Sequence, residues 1–131
     1  DVRSIDGRDP WIEELVATAD LVKIDIEGGE FMLIPWIAAM LQRHRPTLYL
    51  SLHAFFLPGY MDKADRQRRL LAALGFYDYV YRAVEGEWIR LSSPWDTLAA
   101  EAETSGLQGS LLLSMEPVAG LNAEREAAAE I

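Results

Sequence analysis

An α/β fold, built of parallel strands joined by crossover helices and closed by an antiparallel hairpin, is what this chain of 131 residues predicts. Three observations carry that expectation. Apolar, β-rich runs over 21–26, 47–53 and 109–115 are separated by helical patterns with spacings of three and four. The first two runs flank one helix, which is the connection a parallel pair requires. Two further β-rich runs, 76–82 and 87–91, flank Ala83-Val84-Glu85-Gly86 and read as a hairpin or meander, so the sheet ends antiparallel.

The elements follow in order. Val2 and Ile5, ahead of Asp6-Gly7, form a short apolar piece that reads as the tail of a strand. Asp9-Pro10 opens a helix: Asp9 accepts free amides, and Pro10 at the first helical position has no donor to lose. Ile12, Leu15, Val16 and Ala19 make its inner face. Leu21, Val22, Ile24 and Ile26 then suit a buried strand, and alternation puts Lys23, Asp25 and Glu27 together on one side. After Gly28-Gly29 a second helix has Pro35 in its first turn and Leu33, Trp36, Ile37, Met40, Leu41 and His44 along one stripe. His44 reads as structural, at a helix end where the dipole favours it. Arg45-Pro46 ends that helix, and Thr47 to His53 form the next strand.

Ala54 to Met61 is an aromatic loop containing Pro58-Gly59. It is either a lid or substrate wall, or a place where Phe55, Phe56 and Tyr60 cap the core. A helix over Asp62 to Leu74, capped by Asp62 and ended by Gly75, turns Leu70, Leu71 and Leu74 inward. Its Lys63, Arg66, Arg68 and Arg69 form a basic face, read as solvated in preference to a phosphate dock. Ser93-Pro94-Trp95-Asp96 has the form of a capping box for a helix reaching Thr104. Residues 1–115 thus make one domain, and the acidic Ala/Glu-rich stretch 116–131 is a tail.

Composition narrows the function. With 12 basic and 21 acidic residues the net charge is −9, which argues against nucleic acid or an anionic membrane surface as partner. Nine acids and three bases lie among the first 35 residues, so a cation or positively charged ligand suits that segment. Cysteine is absent, excluding thiolate chemistry, and the cytoplasm is the default location. No apolar stretch approaches the roughly 20 residues of a membrane helix. The first residue is Asp1 in place of Met, which suggests further sequence upstream.

The chemistry gathers at strand ends. In open α/β sheets ligands sit at the carboxyl ends of strands, where Asp25 and Glu27 fall; the alternative is a solvated acidic turn. His53 ends the next strand. If the two strands are parallel neighbours, His53 and the carboxylates meet at one edge, whereas a lone His53 would merely bond a loop carbonyl. Asp25, Glu27 and His53 offer a general base for a hydroxyl, and Asp25 with Glu27 offers oxygen ligands for a divalent cation. No Gly-x-Gly phosphate cradle and no G-x-S-x-G elbow occurs.

The block from Asp20 to Glu30 (DLVKIDIEGGE), then Arg45-Pro46, a strand ending at His53, and Leu74-Gly75-Phe76, resembles the FkbM-type S-adenosylmethionine-dependent methyltransferases. The resemblance covers residues 2–92. It implies the C-terminal part of a Rossmann-like class I methyltransferase sheet, of strand order 3-2-1-4-5-7-6. Asp6 would end the third strand on the cofactor side, Asp25 and Glu27 the fourth, and His53 the fifth. The implied activity is methyl transfer from S-adenosylmethionine to a hydroxyl of a sugar or small molecule. The family's Gly-rich loop and ribose-binding acid have no counterpart here, so the expectation is an acceptor-side half, inactive unless further strands are supplied. Its vacated sheet edge suggests a homo-oligomer. A non-catalytic scaffold, and more remotely a metal-dependent hydrolase, are the alternatives.

Overall fold

A computed structural model describes residues 10–121. Val2, Ile5, Asp6 and Asp9, and the tail beyond 121, lie outside the described residues. The elements are α1 (Pro10–Thr18), β1 (Leu21–Ile24), α2 (Glu30–Trp36), α3 (Ala38–His44), β2 (Thr47–His53), a 3-10 turn (Ala54–Phe56), α4 (Lys63–Leu74), β3 (Tyr79–Val84), β4 (Glu87–Arg90), α5 (Pro94–Glu103) and β5 (Gln108–Ser114). Among the described residues no helix is long and apolar enough to cross a membrane.

These strands form one five-stranded mixed sheet of order β1-β2-β5-β3-β4. β1 and β2 are parallel, with Leu21 opposite Thr47 and Ile24 opposite Leu50. The other pairings are antiparallel: β5 lies between β2 and β3, and β4 returns along β3. The α/β class and the antiparallel hairpin of β3 and β4 at one end of the sheet are as expected, but the sheet is mixed. One pair is parallel, and the last described strand occupies the middle of the sheet. Alternation alone cannot place it, because a strand paired on both sides reads the same wherever it inserts.

One face of the sheet carries the core. Leu48, Leu50 and Leu52 of β2, Leu111 and Leu113 of β5 and Val80 of β3 are buried in a single cluster with Phe31, Ile34, Leu41, Leu70, Leu74 and Leu98. Each buried leucine contributes roughly 1.5–3 kcal/mol, and a one-residue slip of β2 would expose three of them, so the register is firmly specified. The opposite face holds a cross-strand row of Lys23, Tyr49, Leu112 and Tyr81. Tyr77 fixes the α4–β3 connection through its hydroxyl, which donates to the carbonyl of Pro46 at 2.5 Å, and burial pushes its phenol well above the usual range.

Several local expectations change. The second helix starts at Glu30, so Pro35 is the sixth of seven residues in α2 and not in its first turn. Having no N–H, it withholds the bond to the carbonyl of Phe31, and the helix breaks at Ile37 before α3 resumes. Trp36 consequently faces outward, 54% exposed. Ser93 precedes α5 but makes no capping bond with its side chain. Asp62 does cap α4, accepting from the Asp65 amide at 3.0 Å. His44 is structural as read: its Nε2 lies 3.0 Å from Glu13 Oε1, and Arg43 meets the same oxygen, clasping α3 to α1.

Candidate functional site

The parallel pairing of β1 with β2 brings their carboxyl ends to one edge. β1 stops at Ile24, two residues short of the apolar run, and the chain turns at once. Glu27 sits at φ 52° and Gly28 at φ 101°, both left-handed. That geometry is open to Gly28 at no steric cost and strained for Glu27. The alternation expected through Glu27 therefore ends at Lys23–Ile24, and Glu27 points its carboxylate into solvent without an ion pair or hydrogen bond among the described residues. Gly28 is needed for a second reason. A Cβ there would lie 3.0 Å from the Cβ of Phe56, because this turn presses against the one that follows β2.

His53 and Asp25 do meet: Nε2 of the imidazole is 3.8 Å from Oδ1 of Asp25. The separation exceeds a hydrogen bond, which leaves Nε2 room for another partner. Asp25 is half-open to solvent and His53 mostly covered, with 45% and 21% of their side chains exposed.

The residue that organises this edge is Glu30. It is fully buried. Its Oε1 accepts from the backbone N–H of His53 at 2.7 Å and faces Nδ1 of the same residue at 3.2 Å. Its Oε2 accepts from the N–H of Gly28 at 3.0 Å. One carboxylate thus ties the turn after β1 to the end of β2 and orients the imidazole. Sequence reasoning passed over it, because an acid in the first turn of a helix is ordinary dipole complementarity. A usable signal was present: Glu30 stands beside Phe31 at the head of an apolar helix face that packs inward.

Around His53 lies an aromatic shell. Phe55 and Phe56 follow it in the 3-10 turn, with ring centroids 5.9 and 5.7 Å from the imidazole and 4.5 Å from one another. They are 62% and 52% exposed, and Tyr60 is 86% exposed, so they do not cap the core; Ala54 and Leu57 do. Of the two readings of this loop, the geometry is that of a wall beside His53.

Asp6 lies outside the described residues. For Asp25 and Glu27 as metal ligands, the described residues contain no group of three or more His, Asp or Glu side chains arranged to hold an ion. No protein-family model matches the chain, and neither a curated protein nor a solved structure does.

Proposed function

We propose that this chain is the acceptor side of an S-adenosylmethionine-dependent O-methyltransferase of the FkbM type, activating a hydroxyl of a sugar or small molecule. The observation that carries the reading is the clamp of His53 between Asp25 and Glu30 at the carboxyl edge of two parallel strands. With both Glu30 oxygens accepting backbone N–H bonds, Oε1 acts as acceptor toward Nδ1 as well, so the ring proton belongs on Nδ1. Nε2 is then a free lone pair facing solvent and Asp25. It takes the proton of the acceptor hydroxyl, and the imidazolium so formed lies between two carboxylates that stabilise it.

The sheet order supports the same reading: β1-β2-β5-β3 follows the 4-5-7-6 portion of the order that the resemblance implies. The described residues fit the acceptor half and not the cofactor's adenosine or methionine ends, for which no glycine-rich turn or ribose-binding acid is present among them. The chemistry assigned to this chain's own residues is therefore acceptor activation.

The test is calorimetry with adenosylmethionine and transfer of a labelled methyl group to sugar acceptors, using the full-length protein. Binding and transfer are expected, and His53→Ala should lower turnover far more than cofactor affinity. Absence of cofactor binding ends the methyltransferase reading; equal loss of turnover and affinity would mean that His53 has another role.

A second reading, a non-catalytic scaffold, is favoured by the edge of β1 that no other described strand pairs with. Leu15, Leu21 and Ile26, 56%, 54% and 48% exposed, line an apolar hollow there. On that reading the edge pairs two copies of the chain.

A further inference from the structure

A second hollow lies one strand away from His53 and is unused by the proton transfer described above. It has a volume of about 360 Å³ and sits between the turn after β2, the start of α4 and the α5–β5 connection. Its polar lining is Lys63, Gln67, Thr104, Ser105 and Gln108, and Phe55 forms one wall. Gly106 keeps its floor open: φ is +87°, and a Cβ would stand 3.5 Å from that of Ala54 and 3.8 Å from Gln67 Oε1.

The lining is built for a polar guest. Gln67 is 3% exposed and fixed at both ends, its Nε2 donating to the Lys63 carbonyl at 3.0 Å and its Oε1 accepting from the Leu107 N–H at 2.7 Å. A carboxamide has two N–H groups and two acceptor lone pairs, so one of each is left over. Of the α4 arginines, Arg68 pairs with Glu103 and Arg69 with Asp65, and none of the three, Arg66 included, lines the hollow. Lys63 has no ion pair among the described residues and is the one cation of the lining. It is the only charged residue of the lining, so a single ammonium there matches a single negative charge. The volume is at the lower end of the roughly 300–1,000 Å³ of ligand pockets, which suits a monosaccharide-sized molecule.

Two contacts connect this hollow to the imidazole. Gln108 is the register partner of His53 across the β2–β5 ladder. Phe55, which lines the hollow, has its ring 5.9 Å from that of His53. We propose that the hollow is the anchoring subsite of the acceptor and takes a monoanionic hydroxy acid of monosaccharide size. The carboxylate rests on Lys63, hydroxyls bond Gln67, Thr104 and Ser105, and the far end passes Phe55 toward His53. This rests on reading His53 as the base for the acceptor and specifies what that acceptor is.

The experiment is an amide-resolved NMR titration of the chain with D-glucuronate, and with D-glucose as the uncharged control, in the absence of cofactor. Glucuronate is expected to shift the Gln67 side-chain amide and the backbone amides of Ser105, Gly106 and Leu107, with glucose weaker. Lys63→Met should weaken glucuronate about tenfold or more, and Lys63→Arg should retain it. Shifts that are absent or lie elsewhere, equal binding of glucose, or unchanged affinity in Lys63→Met would each overturn the subsite. Glucuronate binding without any methyl transfer would sink the proposed reaction and leave the subsite standing. Transfer that depends on His53 without glucuronate binding here would do the reverse.

Discussion

At Glu30 a carboxylate with no access to solvent holds two turns that belong to different strands. Removing it leaves the N–H groups of Gly28 and His53 without their acceptor. A buried donor left unpaired costs about 1–3 kcal/mol, so Glu30→Ala should lower stability by roughly 2–5 kcal/mol in urea unfolding. Glu30→Gln keeps one acceptor oxygen and should cost less. A loss below about 1 kcal/mol for the alanine variant would mean that the turns are held by other contacts. The meeting of Asp25 with His53 was legible in the sequence, because two strands joined by a right-handed helical crossover end at one edge. Glu27 was misplaced by the same logic, since alternation carries no information about where a strand stops. The inward turn of Glu30 was not legible, because it depends on the left-handed backbone at Glu27 and Gly28, and only the second of those residues advertises it.

At the scale of elements, the sequence located the described strands to within a few residues, but it read α2 and α3 as one helix, read the 3-10 turn as loop and began β3 three residues early. The strand 47–53 matches β2 residue for residue, since its alternation is complete and Pro46 marks its start. The break at Ile37 was hidden by a stripe that continues through it. The hairpin of β3 and β4 turns on Glu85 and Gly86, at φ 51° and 80°. Two left-handed residues in a two-residue turn favour Asn-Gly, so Glu85→Asn should raise stability by about 0.5–1 kcal/mol, measurable as a shift in thermal midpoint. The clasp between α1 and α3 has its own pH dependence. The bond from His44, aided by Arg43, holds the Glu13 carboxyl below its ordinary range. A lowered carboxyl stabilises the fold above the unfolded value, and that contribution is lost as pH falls through the folded one. Protection factors of the α1 amides, taken relative to intrinsic exchange rates, should therefore fall on acidification through the carboxylate range, and Glu13→Gln should lower them at neutral pH and abolish the dependence. Unchanged exchange in the variant would show that α1 is held by its apolar face alone.

For the whole molecule, the sheet is covered unevenly. All the described helices share one core on one face, and among the described strands β1 pairs on one side only. Apolar side chains beside an unpaired edge promote association. Leu15→Glu with Leu21→Lys should shift the chain toward monomer in light scattering, and an unchanged mass would remove the β1 edge as the interface. Fold class was legible from periodicity and connection lengths; the mixed order of the sheet was not legible from those, and only the family resemblance implied it. Insertion of β5 is a long-range choice, made by which partners leave the least apolar surface exposed.

That insertion has a consequence for how the chain is made. Tyr49 in β2 and Ser110 in β5, which share a hydrogen bond, are 61 residues apart in sequence. Every ladder that joins the β1–β2 pair to the β3–β4 pair runs through β5. Pairings so distant in sequence form slowly, and their open edges invite wrong partners in the meantime. The two pairs can therefore join into one sheet only once β5 is available to lie between them. Late-arriving chaperone protection, or a pause after β4, would act at the stage when the protein is most exposed.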